Sequence, residues 1–255
     1  MKIVDGILYG LYKARLRREI DEHLAPKHVA VIVDGNRRWA KQRMQERAIG
    51  HRAGAKKIPE FLSWCKQYGV QVVTLYLLSS DNLNSRPDDE LEDLFEIIGT
   101  LACDLAKHRD WRVQHVGEKS RLPENLLLDL ERAEELSKNH EGLHVNLAVG
   151  YGGRHEITQA VQKVIEMHKN SGGTLDSLAE TLTPEIIGES LWTSGQPDPD
   201  LVIRTSGEQR LSDFMIWQSA HSEFYFVEAL YPDLREVDFL RALRNFSKRH
   251  RRFGA

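Results

Sequence analysis

Six short runs rich in β-branched and aromatic residues, at 28–33, 70–78, 111–116, 144–149, 201–205 and 224–227, recur along the chain. Most are near-continuously apolar rather than alternating, the pattern of strands covered on both faces. Between them apolar residues return at helical spacing. Ile58, Phe61, Leu62 and Cys65 mark one helix, and Leu91, Leu94, Phe95, Ile98, Leu101 and Leu105 mark a second. Leu126, Leu130 and Ala133, then Ile157, Ala160, Val161 and Val164, mark two more. This alternation predicts an α/β fold: a mostly parallel six-stranded central sheet flanked by helices. Segments 170–174 and 194–200 read as surface loops. No linker divides the 255 residues and no internal repeat is visible, so residues 1–255 are expected to form a single domain.

Composition narrows the function classes. With 41% hydrophobic and 29% charged residues, the chain can bury a large core, and disorder is not expected. The formal net charge of −3 opposes a nucleic-acid-binding role, so any anion site must concentrate its own arginines. Cys65 and Cys103 each lie in a helical apolar pattern without a CxxC partner, which predicts buried, reduced thiols and a cytoplasmic protein. Residues 1–25 are expected to hold an amphipathic helix, with Ile3, Ile7, Leu8, Leu11, Tyr12 and Leu16 interleaved with Lys and Arg. It packs on its own domain or a dimer partner, or it is a peripheral membrane contact.

Open parallel sheets bind ligands at the carboxyl ends of their strands. The first run leads into Asp34, Gly35, Asn36, Arg37, Arg38 and Trp39, and the second into Ser79, Ser80, Asp81 and Asn82. The fourth leads into Gly150, Tyr151, Gly152, Gly153 and Arg154, and the fifth into Arg204, Thr205, Ser206, Gly207 and Glu208, with Arg210, Leu211 and Ser212 beyond. Each has a plain structural alternative as a helix cap, a turn or a surface charge. Together they bring glycines that let backbone approach an anion, arginines that bind phosphoryl oxygens in pairs, and one carboxylate suited to Mg2+. His51 fits either a structural role or a ligand contact. No P-loop, GxGxxG, HExxH or GxSxG is present, and Mg2+-dependent diphosphate chemistry is the expectation that stands.

These motifs closely resemble those of the cis-prenyltransferases, the undecaprenyl diphosphate synthase family. Residues 28–41 with Gly50, His51 and Gly54 match its first motifs. Ser79 to Asn82, Tyr151 to Arg154, Arg204 to Ser212, Glu223 to Phe226 and the terminal Arg251 to Gly254 match its later ones in order. The resemblance covers about residue 26 to the end. It implies a homodimer that condenses isopentenyl diphosphate with an allylic diphosphate, forming a new cis double bond and releasing diphosphate. It implies that Asp34 binds Mg2+ and assists departure of the allylic diphosphate, with Glu223 as a second metal-associated acid. Gly35, Asn36, Arg37, Arg38, Arg47 and His51 would cradle that diphosphate, with Trp39, Ser80, Asp81 and Arg86 as further substrate contacts. Arg204, Arg210, Leu211 and Ser212 would hold isopentenyl diphosphate, Asn82 with Ser79 would help remove the proton, and Arg252 and Gly254 would reach the partner's diphosphate site.

Several positions depart from the long-chain pattern. Arg37 replaces a small residue, Leu83 stands where Trp is frequent, and Ser85 is an extra residue before Arg86. Leu77 and Leu78 stand where long-chain members carry Ala and Phe, so Leu77 is expected to shorten the product tunnel. In this the chain resembles short-chain actinobacterial members that use geranyl diphosphate and stop at farnesyl length. The alternative is that Leu77 only repacks the core and longer polyprenyl chains grow. Asp88, Asp89, Glu90, Glu92 and Asp93 superficially resemble the DDxxD motif of trans-type synthases. Their spacing differs and they follow Pro87, so they are expected to be a solvated helix start. A phosphatase using Asp34 would need a second acid where Asn36 stands. A non-catalytic subunit would lack the Asp and Arg residues present here.

Overall fold

The computed structural model describes residues 2–20 and 24–253, with side chains described over 8–20 and 24–249. Strand β1 (His28–Ile32) is buried along its whole length and lies between β2 (Val72–Ser79) and β5 (Leu201–Arg204). With β3 (Trp111–Val116), β4 (Leu143–Tyr151) and β6 (Glu223–Phe226) the sheet runs β3-β4-β2-β1-β5-β6, every pair parallel. All six expected strands form, each within two or three residues of its expected bounds. The inner strands β1 and β5 are buried at every residue, whereas edge strands β3 and β6 are partly exposed. Continuous apolar runs therefore mark the middle of the sheet, where helices cover both faces.

The helices are α1 (Lys2–Glu19), α2 (Asn36–Gln42), α3 (Arg47–Gln67), α4 (Ser80–Ser85), α5 (Asp88–Ala106), α6 (Glu124–Ser137), α7 (Gly153–Asn170), α8 (Leu175–Thr181), α9 (Pro184–Gly188) and α10 (Glu236–Phe253). The four helices expected from periodicity are α3, α5, α6 and α7. The short α8 and α9 have no apolar period; they start at Thr174 and Thr183, whose hydroxyls cap them. Helix α1 packs on α10 of its own chain. Arg17 bonds Glu236 at 2.7 Å, Arg244 bonds Glu19 at 3.2 Å, Lys13 pairs with Glu236, and Leu16 is fully buried. Leu8 and Leu11 remain exposed. Among the described residues no helix is long and apolar enough to cross a membrane. Cys65 is buried as expected, but Cys103 is only half-buried; both are free.

Topology positions the site. Ile32 of β1 pairs with both Tyr76 of β2 and Arg204 of β5, so the residues that follow these strands emerge side by side. The chain leaves β1 to one side for β2 and returns on the other as β5, which opens a crevice at the carboxyl end of β1.

Candidate active site

The first turn after β1 is built by Asp34 and Gly35. Gly35 has φ +107, and a Cβ there would come within 2.9 Å of the Leu230 side chain, so a larger residue is doubly excluded. Thr205, following β5, locks the turn: its Oγ1 accepts from the Asp34 N–H at 3.0 Å and donates to the Asp34 carbonyl at 2.7 Å. The Asp34 carboxylate is set by Arg204, which is 4% exposed and donates through Nη2 to Oδ2 at 2.8 Å. Arg38 approaches Oδ1 at 3.8 Å. Burial opposes ionisation of Asp34, but the Arg204 hydrogen bond and charge, with Ser206 and Arg38, outweigh it and hold the carboxyl below its ordinary range. Asp34 is thus a charged acceptor among guanidinium groups.

Helix α2 carries Asn36, Arg37 and Arg38 and sits tightly on α3. A Cβ at Gly50 would lie 2.2 Å from the Asn36 carbonyl, and one at Gly54 would lie 2.5 Å from Asn36 Oδ1. The glycines of α3 thus let α2 approach, and Asn36 Oδ1 is buried without a protein partner. On the other side of the mouth stands a residue the sequence reading misplaced. Glu90, in the first turn of α5, is 3% exposed rather than solvated. Arg86 donates to its Oε1, His51 Nε2 lies 3.1 Å from Oε1, and Arg47 and Arg37 approach Oε2 at 3.3 and 3.8 Å. Burial works against the Glu90 charge, yet Arg86, His51 and Arg37 overcome it, so the carboxyl lies below its usual range. Burial and then Arg86 push the His51 imidazole below its ordinary value, and its Nε2 lies between Glu90 Oε1 and Arg86 Nη1, at 3.1 and 3.4 Å. The available signal was an arginine two residues before the helix start and an acid in its first turn, Arg86 and Glu90, close enough in sequence to pair.

These groups surround a cavity of about 380 Å3. Its mouth is polar, with Asp34, Asn36, Arg37, Arg38, His51, Arg86, Glu208 and Arg210. Its floor is apolar, formed by Val33, Ala55, Ile58, Leu77, Leu94, Ile97, Ile98 and Leu101. One compartment can hold a polyanion and the other an aliphatic chain.

Other expected residues take different places. Arg204 stands behind the wall, donating to Ser212 Oγ at 2.8 Å and to the Arg210 carbonyl. Ser79 caps α4 by accepting from the Asn82 N–H at 3.0 Å, and Ser80 donates to the Gly150 carbonyl at 3.1 Å. Asp81 is exposed and Asn82 half-buried. Arg47 is over half exposed, and its described role is to pair with Glu90. Leu211 packs on the small apolar cluster around Tyr76 and Phe214.

None of Arg47, Ser79, Ser80, Asp81, Asn82, Arg204, Leu211 and Ser212 lines the cavity itself, and Trp39 and Glu223 are directed elsewhere. Trp39 points away on α2: its indole N–H donates to Asp233 at 2.8 Å and Arg43 stacks on its ring. Glu223 opens β6, in register with Leu201, which pairs with Val29, at the opposite edge of the sheet from Asp34. It pairs with Arg249 at 2.5 Å. Five residues from Val29 to Asp34 span about 16 Å of strand, so one chain does not bring both acids together. The Gly150 to Arg154 turn also lies outside the cavity lining. The side chain of Arg252 and all of Gly254 lie outside the described residues.

Comparison with known proteins agrees with this geometry. Residues 32–254 match the family model for undecaprenyl diphosphate synthase. A (2Z,6E)-farnesyl diphosphate synthase of Thermobifida fusca is 52% identical over 97% of either chain. A short-chain Z-isoprenyl diphosphate synthase of Mycobacterium bovis is 49% identical over 97% of this chain and 95% of its own. The solved structure of lavandulyl diphosphate synthase from Lavandula x intermedia, in complex with dimethylallyl diphosphate, superposes with a TM-score of 0.81 at 35% identity, covering 88% of this chain and 96% of that one. With most of its length matched and its polar residues gathered over an apolar chamber, this chain belongs to the undecaprenyl diphosphate synthase family of prenyltransferases.

Proposed function

We propose that the protein condenses isopentenyl diphosphate with geranyl diphosphate to give (2Z,6E)-farnesyl diphosphate, acting as a cytoplasmic homodimer. The observation that carries this reading is the two-part cavity, with an ionised Asp34 among arginines at the mouth and an apolar floor that includes Leu77. The names of the actinobacterial relatives support the short product.

In this reading the allylic diphosphate lies in the mouth, where Arg37, Arg38 and Arg86 offset its charge and its tail lies on the floor. The allylic C–O bond breaks and diphosphate leaves with the electron pair. The double bond of isopentenyl diphosphate supplies the electrons for the new C–C bond, and loss of one proton forms the cis double bond. Arg210 and Ser212 hold the second diphosphate, and Arg204 aligns both with Asp34. Asn82, tied to Ser79, helps carry the proton away. Holding two anions side by side in fixed orientation lowers the entropic part of the barrier.

The mouth suits Mg2+. The ionised Asp34 in the cavity lining would hold the ion together with phosphate oxygens of the substrate, the sparse protein ligation Mg2+ prefers. Bound there, it supplies Lewis-acid stabilisation of the departing diphosphate. The test is incubation with labelled isopentenyl diphosphate and geranyl or farnesyl diphosphate, with and without Mg2+, followed by sizing of the dephosphorylated products. A single farnesyl-length cis product from the geranyl primer is expected. A polyprenyl ladder would refute the product assignment, and the absence of condensation would refute the activity.

A further inference from the structure

The loop after β5 is unusual in its backbone. Ser206, Ser212, Asp213 and Met215 have φ of 77°, 50°, 63° and 45°. Non-glycine residues rarely adopt this left-handed region, and they persist there only where surrounding contacts over-determine them. Two such contacts belong to the site already described: Arg204 holds Ser212 Oγ and the Arg210 carbonyl, and the buried Tyr76 hydroxyl donates to the Ser212 carbonyl at 3.2 Å.

The third contact is Asp213, and no part of the reaction so far uses it. Its Oδ1 accepts from the Arg154 N–H at 3.1 Å and its carbonyl accepts from the Gly153 N–H at 2.7 Å. Both donors open α7, where a carboxylate also complements the helix dipole. The approach is close: a Cβ on Gly153 would lie 2.9 Å from the Asp213 carbonyl oxygen and 2.8 Å from Ile216 Cγ1. The glycine-rich turn after β4 has the form of an anion site in sequence, but the chain's own Asp213 takes its N–H groups.

We propose that Asp213 is a positioning residue for the second diphosphate. By fastening the loop to α7 it keeps Ser212 left-handed, so that the Ser212 hydroxyl stays on Arg204 and the Arg210 side chain stays at the cavity mouth. This rests on the function proposed above, in which Arg210 and Ser212 hold isopentenyl diphosphate. Arg210 depends on the loop for its place, since its side chain is 62% exposed and its described ion pair is with Glu208 of the same loop. Asp is also among the residues that tolerate left-handed backbone best, so alanine at this position loses the cap and the backbone preference together.

The test compares wild type with Asp213→Ala, Asp213→Asn and Gly153→Ala. Four quantities are read: KM for each substrate, kcat, equilibrium binding of isopentenyl diphosphate without primer, and hydrogen exchange of amides 206–215. Loss of a charged cap predicts about a tenfold rise in KM for isopentenyl diphosphate in Asp213→Ala, with the allylic KM within about twofold and faster exchange in the loop. Asp213→Asn keeps an acceptor oxygen and left-handed tolerance, so it stays near wild type. Gly153→Ala displaces the loop from the other side and reproduces the alanine defect. Equal rises in both KM values would assign Asp213 a merely structural role, and an unchanged isopentenyl diphosphate constant would overturn the proposal outright. A wild type that binds isopentenyl diphosphate without condensing it would remove the proposed activity, while weakened binding in Asp213→Ala would still sustain the positioning role. A wild type that does not bind it would overturn both.

Discussion

Replacing Leu77 by alanine tests whether the cavity floor sets product length. Leu77 is half-buried at the end of β2 and shares the floor with Ile97, Ile98 and Leu101 of α5. The substitution removes three carbons, against the five of one isoprene unit. At about 0.8 kcal/mol per buried carbon, filling that space favours the longer chain by about 2.4 kcal/mol, roughly a 50-fold change in its partition. The other two carbons must displace neighbours, so the expected outcome is one added unit rather than an open-ended ladder. Because Leu77 borders an existing cavity, its removal should cost about 2 kcal/mol of stability, the low end for Leu→Ala. The assay uses geranyl diphosphate, labelled isopentenyl diphosphate and Mg2+, with product sizing and a melting curve. An active variant whose product keeps its wild-type length would show that Leu77 only packs the core, and the reasoning would fall.

Three further outcomes follow from buried polar groups and close contacts. Glu90→Gln keeps the shape but removes the charge that gathers Arg86, His51, Arg47 and Arg37. We expect a loss of about 1–3 kcal/mol, because the amide oxygen still accepts one bond and two of the arginines are over half exposed. The allylic KM should rise about tenfold as Arg86 loses its anchor, the size of one such lost interaction; a tighter KM would show that Glu90 merely competes with substrate. His28 is buried, donating Nδ1–H to the Pro197 carbonyl at 2.7 Å and accepting from the Thr74 hydroxyl at 2.8 Å. Burial pushes its pKa down from 6.5 to about 4, so between those values the unfolded chain binds the extra proton. Stability should therefore fall by roughly 3 kcal/mol as pH drops from 6.5 towards 4. The pH slope of the denaturation midpoint should become shallower in His28→Gln, with His144, whose pKa burial also lowers to about 4, keeping part of it, and an unchanged slope would contradict the assignment. Gly50→Ala places a Cβ 2.2 Å from the Asn36 carbonyl. Separating α2 from α3 should cost about 1–3 kcal/mol and weaken allylic binding, and a variant with wild-type melting and KM would refute the close-packing argument.

Much of the site was legible because its residues follow strands. A continuous apolar run ending in Asp34, or one ending in Arg204, is readable from the chain, and parallel strands place their ends on one edge. Asp34, Asn36, Arg37, Arg38 and Arg210 accordingly share one cavity, joined there by Leu77 within β2, His51 of α3 and Arg86 between α4 and α5. What misled was burial and direction. Glu90 sits among acids after a proline, the ordinary mark of a solvated helix start, and becomes internal because α3 lays His51 and Arg47 against it. Trp39 lies two residues beyond Arg37 on α2, and helical rotation turns it towards Asp233. Glu223 precedes an apolar strand, so it belongs at the starting edge of the sheet, where it meets Arg249.

The sequence by itself determined the α/β class, the strands and the residues at their carboxyl ends, because those depend on local periodicity and on the one direction in which a parallel strand delivers its successor. Only the tertiary structure decided the order β3-β4-β2-β1-β5-β6, the closing of the floor by Leu77 with α5, and the seating of Glu90 and Asp213. Each of those is a contact between segments far apart in the chain, where packing against a specific neighbour, rather than any local pattern, selects which polar group is buried and what it holds.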